Sequence, residues 1–283
     1  MAETKNFTLE GLFSVRGLDV LITGAGTGIG KYTHTPEGLY MAKGFASNGA
    51  VTHIAGRRKE KLEEAKASIL ELAPDAQVVI HTIDISERAA VTSLVADLTK
   101  LDVLINCAGI VLPDPPSTHH SPLPELQAAL LSSSADTWSR TFSTNVEAPY
   151  FLSSSVLHLL AAAPNGGRII NISSIGSIMS DPNTHQPAYQ ASKAAVNHLT
   201  RLLASKFREH GVRVNAISPG YFPSQMQNAS NPKSMLARAK DLVPLKRGGE
   251  EEDAAGTAIY LASRAGSYVD GHTIVLGGGR EWA

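Results

Sequence analysis

The sequence predicts an α/β fold: a doubly wound, seven-stranded parallel sheet with helices on both faces. Three observations lead there. Short runs rich in β-branched residues alternate with longer helical patterns along the whole chain. Several of those runs are apolar on both faces, as strands covered by helices on each side must be. Strand–helix alternation then implies right-handed crossovers in one sheet. The strands are expected at 19–23 (DVLIT), 51–55 (VTHIA), 78–83 (VVIHTI), 102–106 (DVLIN), 168–173 (RIINIS), 213–218 (RVNAIS) and 273–276 (TIVL). Between them, 59–71 carries Lys/Glu pairs at helical spacing. Residues 188–210 form a long helical pattern, with Gly211 as its stop signal.

At 283 residues, with no internal repeat and no Gly/Ser-rich linker, the chain is expected to be a single domain spanning 1–283. Residues 1–17 read as an N-terminal extension. Two long loops, 111–134 and 221–243, leave the carboxyl ends of strands. Ligands bind at those ends in such sheets, so both are candidates to wall a substrate pocket; the alternative is tolerated surface insertions. A net charge of −1, with no basic run longer than Arg57-Arg58-Lys59, gives no nucleic-acid face. Cys107 is the single cysteine, so no internal disulfide can form. The start of the chain lacks an apolar signal core, and no apolar run is long enough to span a bilayer. A soluble, cytoplasmic protein is the expectation.

The stretch Thr23-Gly-Ala-Gly-Thr-Gly-Ile-Gly30 follows the first strand. Glycine there permits a tight turn and close approach to a pyrophosphate, and the next helix N-terminus adds free N–H groups and a favourable dipole. Gly24, Thr27, Gly28, Ile29 and Gly30 are therefore the candidate phosphate cradle. The helix after it is interrupted, because Pro36 cannot lie inside a helix begun at Gly28. Thr35-Pro36-Glu37 reads as a new start: N-cap, proline at the first helical position, acid in the first turn. A restarted helix is expected over 36–47. The Lys31–Gly38 insert is expected to bulge outward, weakening nucleotide binding or lending Lys31 to the phosphates.

The second strand ends in Ala55-Gly56-Arg57-Arg58. An acid there would favour NAD; two arginines favour a ribose 2′-phosphate and hence NADP(H), with Arg57 the first choice and Arg58 the second. The competing reading makes both arginines solvated charges at a helix start. Asp84, with Ile85 beside it, ends the third strand where it could meet the adenine. Asn106, Ala108 and Gly109 end the fourth, where the backbone could pack on the ribose.

Ser174 lies at a strand end, and Tyr189 and Lys193 are four apart near a helix start, on one face. A free tyrosine has a pKa of about 10, too high for acid–base work near neutrality. A neighbouring ammonium and an oxidised nicotinamide would lower it. With Ser174 donating a hydrogen bond to a substrate oxygen, these residues suit a carbonyl/alcohol reaction whose hydride chemistry comes from a nucleotide. Ten histidines show no metal-ligand spacing, so no metal is expected. Cys107 reads as a small buried residue, and the GxSxG elbow of hydrolases is absent.

On the TGxxxGxG turn (Thr23 to Gly30), the NxAG segment (Asn106 to Gly109), Asn145, the serine of NISS, YxxxK (Tyr189 to Lys193) and the Pro219-Gly220 turn, the sequence resembles the short-chain dehydrogenase/reductase family over nearly its whole length. The likeness is greatest to fungal reductases, some labelled 3-oxoacyl-carrier-protein reductases. The resemblance implies a Rossmann fold and four catalytic residues. Tyr189 would be the acid/base and Ser174 would polarise the carbonyl. Lys193 would hold the nicotinamide ribose and lower the Tyr189 pKa, and Asn145 would position a relay water. It adds Pro219 and Gly220 to the cofactor contacts. Asp181 to His185, with Gly220, Tyr221 and Phe222, would shape the pocket. A homo-oligomer, tetramer or dimer, is implied as well. Two other readings stay open: an NADP(H)-binding scaffold or cyclase-like protein with little redox activity, and an NAD-dependent alcohol dehydrogenase.

Overall fold

The computed structural model describes residues 6–26, 37–112, 114, 120–180, 186–223, 234 and 236–282. In chain order the elements are α1 (Leu9–Phe13), β1 (Asp19–Thr23), α2 (Glu37–Ser47), β2 (Val51–Gly56), α3 (Lys59–Leu72), β3 (Val78–Thr82), α4 (Arg88–Asp97) and β4 (Val103–Asn106). After β4 come α5 (Leu123–Leu131), α6 (Ala135–Phe142), α7 (Ala148–Ser155), α8 (Leu157–Ala161), β5 (Arg168–Ile172), α9 (Pro187–Phe207), β6 (Arg213–Pro219), α10 (Ala239–Leu242), α11 (Glu251–Ala262) and β7 (Thr273–Leu276).

Among the described residues, seven strands form one sheet in the order β3-β2-β1-β4-β5-β6-β7, and every pairing is parallel. The expected strands all form, with ends displaced by at most one residue. The chain runs outward from β1 to β3, then returns to pair β4 on the other side of β1. The loops after β1 and β4 therefore diverge and leave a crevice at the strand carboxyl ends.

Period-two alternation sorts the strand side chains onto two cores. Val20, Ile22, Ile54 and Ile105 share one with Met41 and Phe45 of α2, Leu62 of α3 and Leu261 of α11. Leu21, Leu104, Ile169 and Val214 share the other with Leu94 of α4, Leu152 of α7 and Leu203 of α9. Each such wholly buried aliphatic side chain stabilises the fold by about 1.5–3 kcal/mol. Two expected loops carry helices. Residues 111–134 include α5 and 221–243 include α10, because each stretch contains a local run of good helix formers that needs no deep burial. The long helix ends in a short 3₁₀ turn closed by Gly211 in the left-handed conformation, φ 70°, as its stop signal predicts. Among the described residues no helix is long and apolar enough to cross a membrane.

Candidate active site

The crevice is built from the ends of β1 and β4. The Thr23 hydroxyl accepts from the backbone N–H groups of Cys107 and Ala108, both at 3.1 Å, and so ties the two strand ends together. Gly24 follows at φ 74°. A Cβ there would lie 2.7 Å from Ala108 Cα, so only glycine fits. Gly38, in the first turn of α2, packs on the same spot: a Cβ would lie 2.9 Å from the Gly24 carbonyl oxygen. Close approach of this helix to β1 thus falls to the glycine that ends the insert. Thr27, Gly28, Ile29, Gly30 and the insert up to Pro36 lie outside the described residues, as do Asp181 to His185.

Glu37 precedes Gly38 and opens α2. Its side chain is buried, 7% exposed, and Oε2 has no hydrogen-bond partner among the described residues. Burial raises its pKa to about 7, against a hydrogen bond from its own backbone N–H and the charge of Lys193.

A cavity lies beside this junction, between the ends of β1, β2, β3 and β4. Gly24, Arg57, Arg58, Asp84, Ile85, Ala108 and Gly109 line it, together with Lys61 and Leu62 of α3. Arg57 reaches Asp84 at 3.7 Å but keeps a largely exposed side chain. Asp84 Oδ1 is held by the Ser86 N–H at 3.0 Å and hydroxyl at 2.7 Å. The Asn106 side chain is spent on structure, donating to Ser153 and Asn171. Pro219 and Gly220 do not line this cavity. Gly220 instead donates to the Leu276 carbonyl at 2.9 Å. Phe222 packs with Tyr40 and Ala254, and with Tyr221 it lines a second cavity together with Val243, Pro244 and Leu276.

On the far side of Gly109 stand the other four candidates. Ser174 caps a short 3₁₀ turn after β5, and its hydroxyl hydrogen-bonds that of Tyr189. Ser173 points the other way and donates to the Lys193 carbonyl at 2.9 Å, as strand alternation predicts. Lys193 is 2% exposed; Nζ donates to the Ile172 carbonyl at 2.8 Å and lies 5.7 Å from the Tyr189 ring centroid. Asn145 sits in a π-helical turn, Ser143–Glu147. Its side chain accepts from the Ile110 N–H at 2.8 Å and donates to the Ile110 carbonyl and the Ser192 hydroxyl, both at 3.0 Å. A π turn widens the helix and frees backbone groups, which is why such turns gather at functional sites.

From the protein's own side chains the Tyr189 hydroxyl is held above its ordinary value, because burial outweighs the Ser174 hydrogen bond and the charges of Glu37 and Cys107 add to the rise. Burial also pushes Lys193 down to about 8, against the pull of Cys107 and Glu37. Both shifts follow from taking a charge out of water.

The family model described as enoyl-(acyl carrier protein) reductase matches residues 38–281, beginning at Gly38. The short-chain dehydrogenase/reductase PhomF of Diaporthe leptostromiformis is 35% identical over 98% of this chain and 96% of its own. Gluconate 5-dehydrogenase of Gluconobacter oxydans is 33% identical over 95% and 96%. The chain belongs to the short-chain dehydrogenase/reductase family. Solved relatives agree in fold: gluconate 5-dehydrogenase from Burkholderia cenocepacia, in complex with NADP and tartrate, superposes with a TM-score of 0.80 at 27% identity, covering 98% of this chain and 100% of that one. The Pseudomonas aeruginosa RhlG/NADP complex gives 0.79 at 28%, covering 96% and 99%.

For this short-chain dehydrogenase/reductase, sequence reasoning identified Ser174, Tyr189, Lys193 and Asn145, and the structure gathers them. It passed over Glu37, Gly38, Lys61 and the nearness of Cys107 to the Tyr189–Lys193 pair. Gly38 carried a signal, since the distance from it to Asn48-Gly49 is that of one uninterrupted helix. Lys61 carried one as well, standing one helical turn beyond Arg57, whereas Glu37 and Cys107 carried none, because their neighbours are remote in sequence.

Proposed function

We propose that the protein is an NADP(H)-dependent oxidoreductase that interconverts a ketone and a secondary alcohol, acting as a carbonyl reductase of biosynthetic metabolism. One observation carries this reading: the Ser174–Tyr189 hydroxyl pair lies beside Lys193, whose Nζ would be 3.3 Å from a Cβ at Gly109, and Gly109 lines the same cavity as Arg57 and Arg58. The crevice suits a dinucleotide, since Arg57, Arg58 and Lys61, the last paired with Glu64, line it and offer cations for a 2′-phosphate. Relatives solved with NADP support that choice.

A bound nicotinamide supplies the hydride in reduction and accepts it in oxidation. The rest falls to side chains. Ser174 donates a hydrogen bond to the substrate carbonyl oxygen, and Tyr189 gives that oxygen its hydroxyl proton as charge develops there. The raised Tyr189 pKa keeps this proton available for reduction at neutral pH. Lys193, anchored on the Ile172 carbonyl, presents an ammonium close to the phenolate that is left. Asn145 holds the Ile110 segment and Ser192 in place, and its backbone, in the π turn, is the proposed seat of the relay water. A homo-oligomer, tetramer or dimer, is proposed from the family resemblance; light scattering measures it.

The deciding experiment follows NADPH oxidation against a panel of polyketide-like ketones, β-ketoacyl thioesters and keto-sugar acids. Tyr189→Phe should cut kcat about 10²–10⁴-fold on any ketone turned over. Equal rates in wild type and variant would remove Tyr189 from the chemistry. No turnover alongside tight NADPH binding would favour the scaffold reading.

A further inference from the structure

The buried carboxyl of Glu37 is used by nothing in the mechanism above. It opens α2, whose first turn packs on Gly24 at the edge of the crevice, and it accepts a hydrogen bond from its own backbone N–H. Free N–H groups at a helix start are what an anion uses when it binds there. Glu37 therefore already holds one of the donors that a cofactor phosphate would take. Its other oxygen, Oε2, is buried with no hydrogen-bond partner among the described residues.

The backbone has little freedom to carry the carboxyl away. Gly38 is wedged against Gly24 and Ala25, and α2 lies along α11. Among the described residues, the titratable groups around Glu37 are Lys193 and Tyr189 from α9, Tyr40 from α2 itself, and Cys107 after β4, which acts on the same Tyr189–Lys193 pair. Glu251 of α11 reaches Tyr40. Lys193 is the one cation of this set, and it is tied to the Ile172 carbonyl. A second anion brought to this helix start would face the carboxylate at close range in a region of low dielectric, where like charges repel strongly.

We propose that Glu37 is a resident anion at the start of α2 beside the crevice, and that binding of the dinucleotide takes up one proton at its carboxyl. The inference rests on the NADP(H) reading above and makes Glu37 a determinant of cofactor affinity. Cofactor then binds to the form with Glu37 neutral, and affinity falls as that form is depleted.

The test is NADPH binding, by nucleotide fluorescence and calorimetry, to the full chain and to Glu37→Gln, between pH 6 and pH 8. With the free carboxyl titrating at about 7, the ratio of wild-type to variant Kd should rise about tenfold over that range. The 2′-phosphate titrates near pH 6 in both experiments and cancels in the ratio. Calorimetry of the wild type at pH 8 in buffers of different ionisation enthalpy should show close to one proton taken up per nucleotide, and this arm needs no variant. A ratio constant within twofold, or proton release at pH 8, overturns the inference while leaving the NADP(H) reading intact. Absence of NADPH binding by both proteins at every pH overturns both.

Discussion

Lys193 and Arg57 show how single side chains set the conditions of the reaction. Lys193 ordinarily titrates at 10.5, and burial brings it to about 8. Its proton is present below that pH and is lost as pH rises through it. Tyr189 stays protonated across the same range, since its shift is upward. The rate of ketone reduction should hold to about pH 8 and then fall, approaching tenfold per pH unit. A kcat profile from pH 6 to pH 10 checks this, and a rate still climbing at pH 10 would contradict it. Arg57 is exposed and leans on Asp84. In its proposed role it makes charge-assisted hydrogen bonds to the 2′-phosphate. Arg57→Asp should weaken NADPH about 10- to 100-fold and NADH only slightly. Parallel titrations with the two nucleotides measure the difference.

The start of α2 is where element-scale forces compete. Propensity says that Gly38→Ala should stabilise a helix by about 1 kcal/mol. Packing says otherwise, because the new Cβ would meet the backbone of Gly24 at 2.9 and 3.0 Å, and backbone atoms cannot rotate aside. Overpacking costs about 1–3 kcal/mol, so the variant should be the less stable protein in thermal melts. Glu37 acts on the same element through its charge. Its folded-state pKa is raised from 4.5 to about 7, so its stabilising contribution is complete below 4.5 and is lost as pH rises through 7. Between pH 5 and pH 8 that loss amounts to roughly 2–3 kcal/mol. Urea unfolding should show the wild type falling relative to Glu37→Gln by this amount.

Across the whole molecule, the two edges of the sheet have separate duties. The carboxyl edge carries the crevice. At the amino edge Lys100 holds Asp19 and the buried Asp102, each at 2.9 Å, and Asp102 accepts from the Asp19 N–H. Hydrogen bonds that Lys100 donates to both carboxylates raise its pKa. Lys100 is itself half exposed, so solvent screens the pair and Lys100→Met should cost only about 1 kcal/mol. Because the length of the strands separates this cluster from Tyr189, kcat on any accepted ketone should stay unchanged. A fall in kcat matching that of Tyr189→Phe would show that the two edges are coupled.

Asn145 came from the family resemblance, while local patterning sufficed for the strands, for the order of the elements and for singling out Ser174, Tyr189 and Lys193. Those rest on properties that repeat along the chain: apolar alternation, glycine at a turn, and two side chains one helical turn apart. The ends of α9 were legible for the same reason, with Gly211 free to take a left-handed φ. Three features were decided only by the fold. Ranking the pKa of Tyr189 needed its burial, which depends on α9 lying against β5. Assigning Gly38 its role needed the distance between α2 and the Gly24 turn. Recognising Glu37 needed the junction of α2 with α9, which brings an acid near a lysine more than 150 positions away. Sequence specifies which groups the chain owns and how neighbours along it are spaced. Desolvation and close approach depend on which surfaces meet, and packing alone determines that.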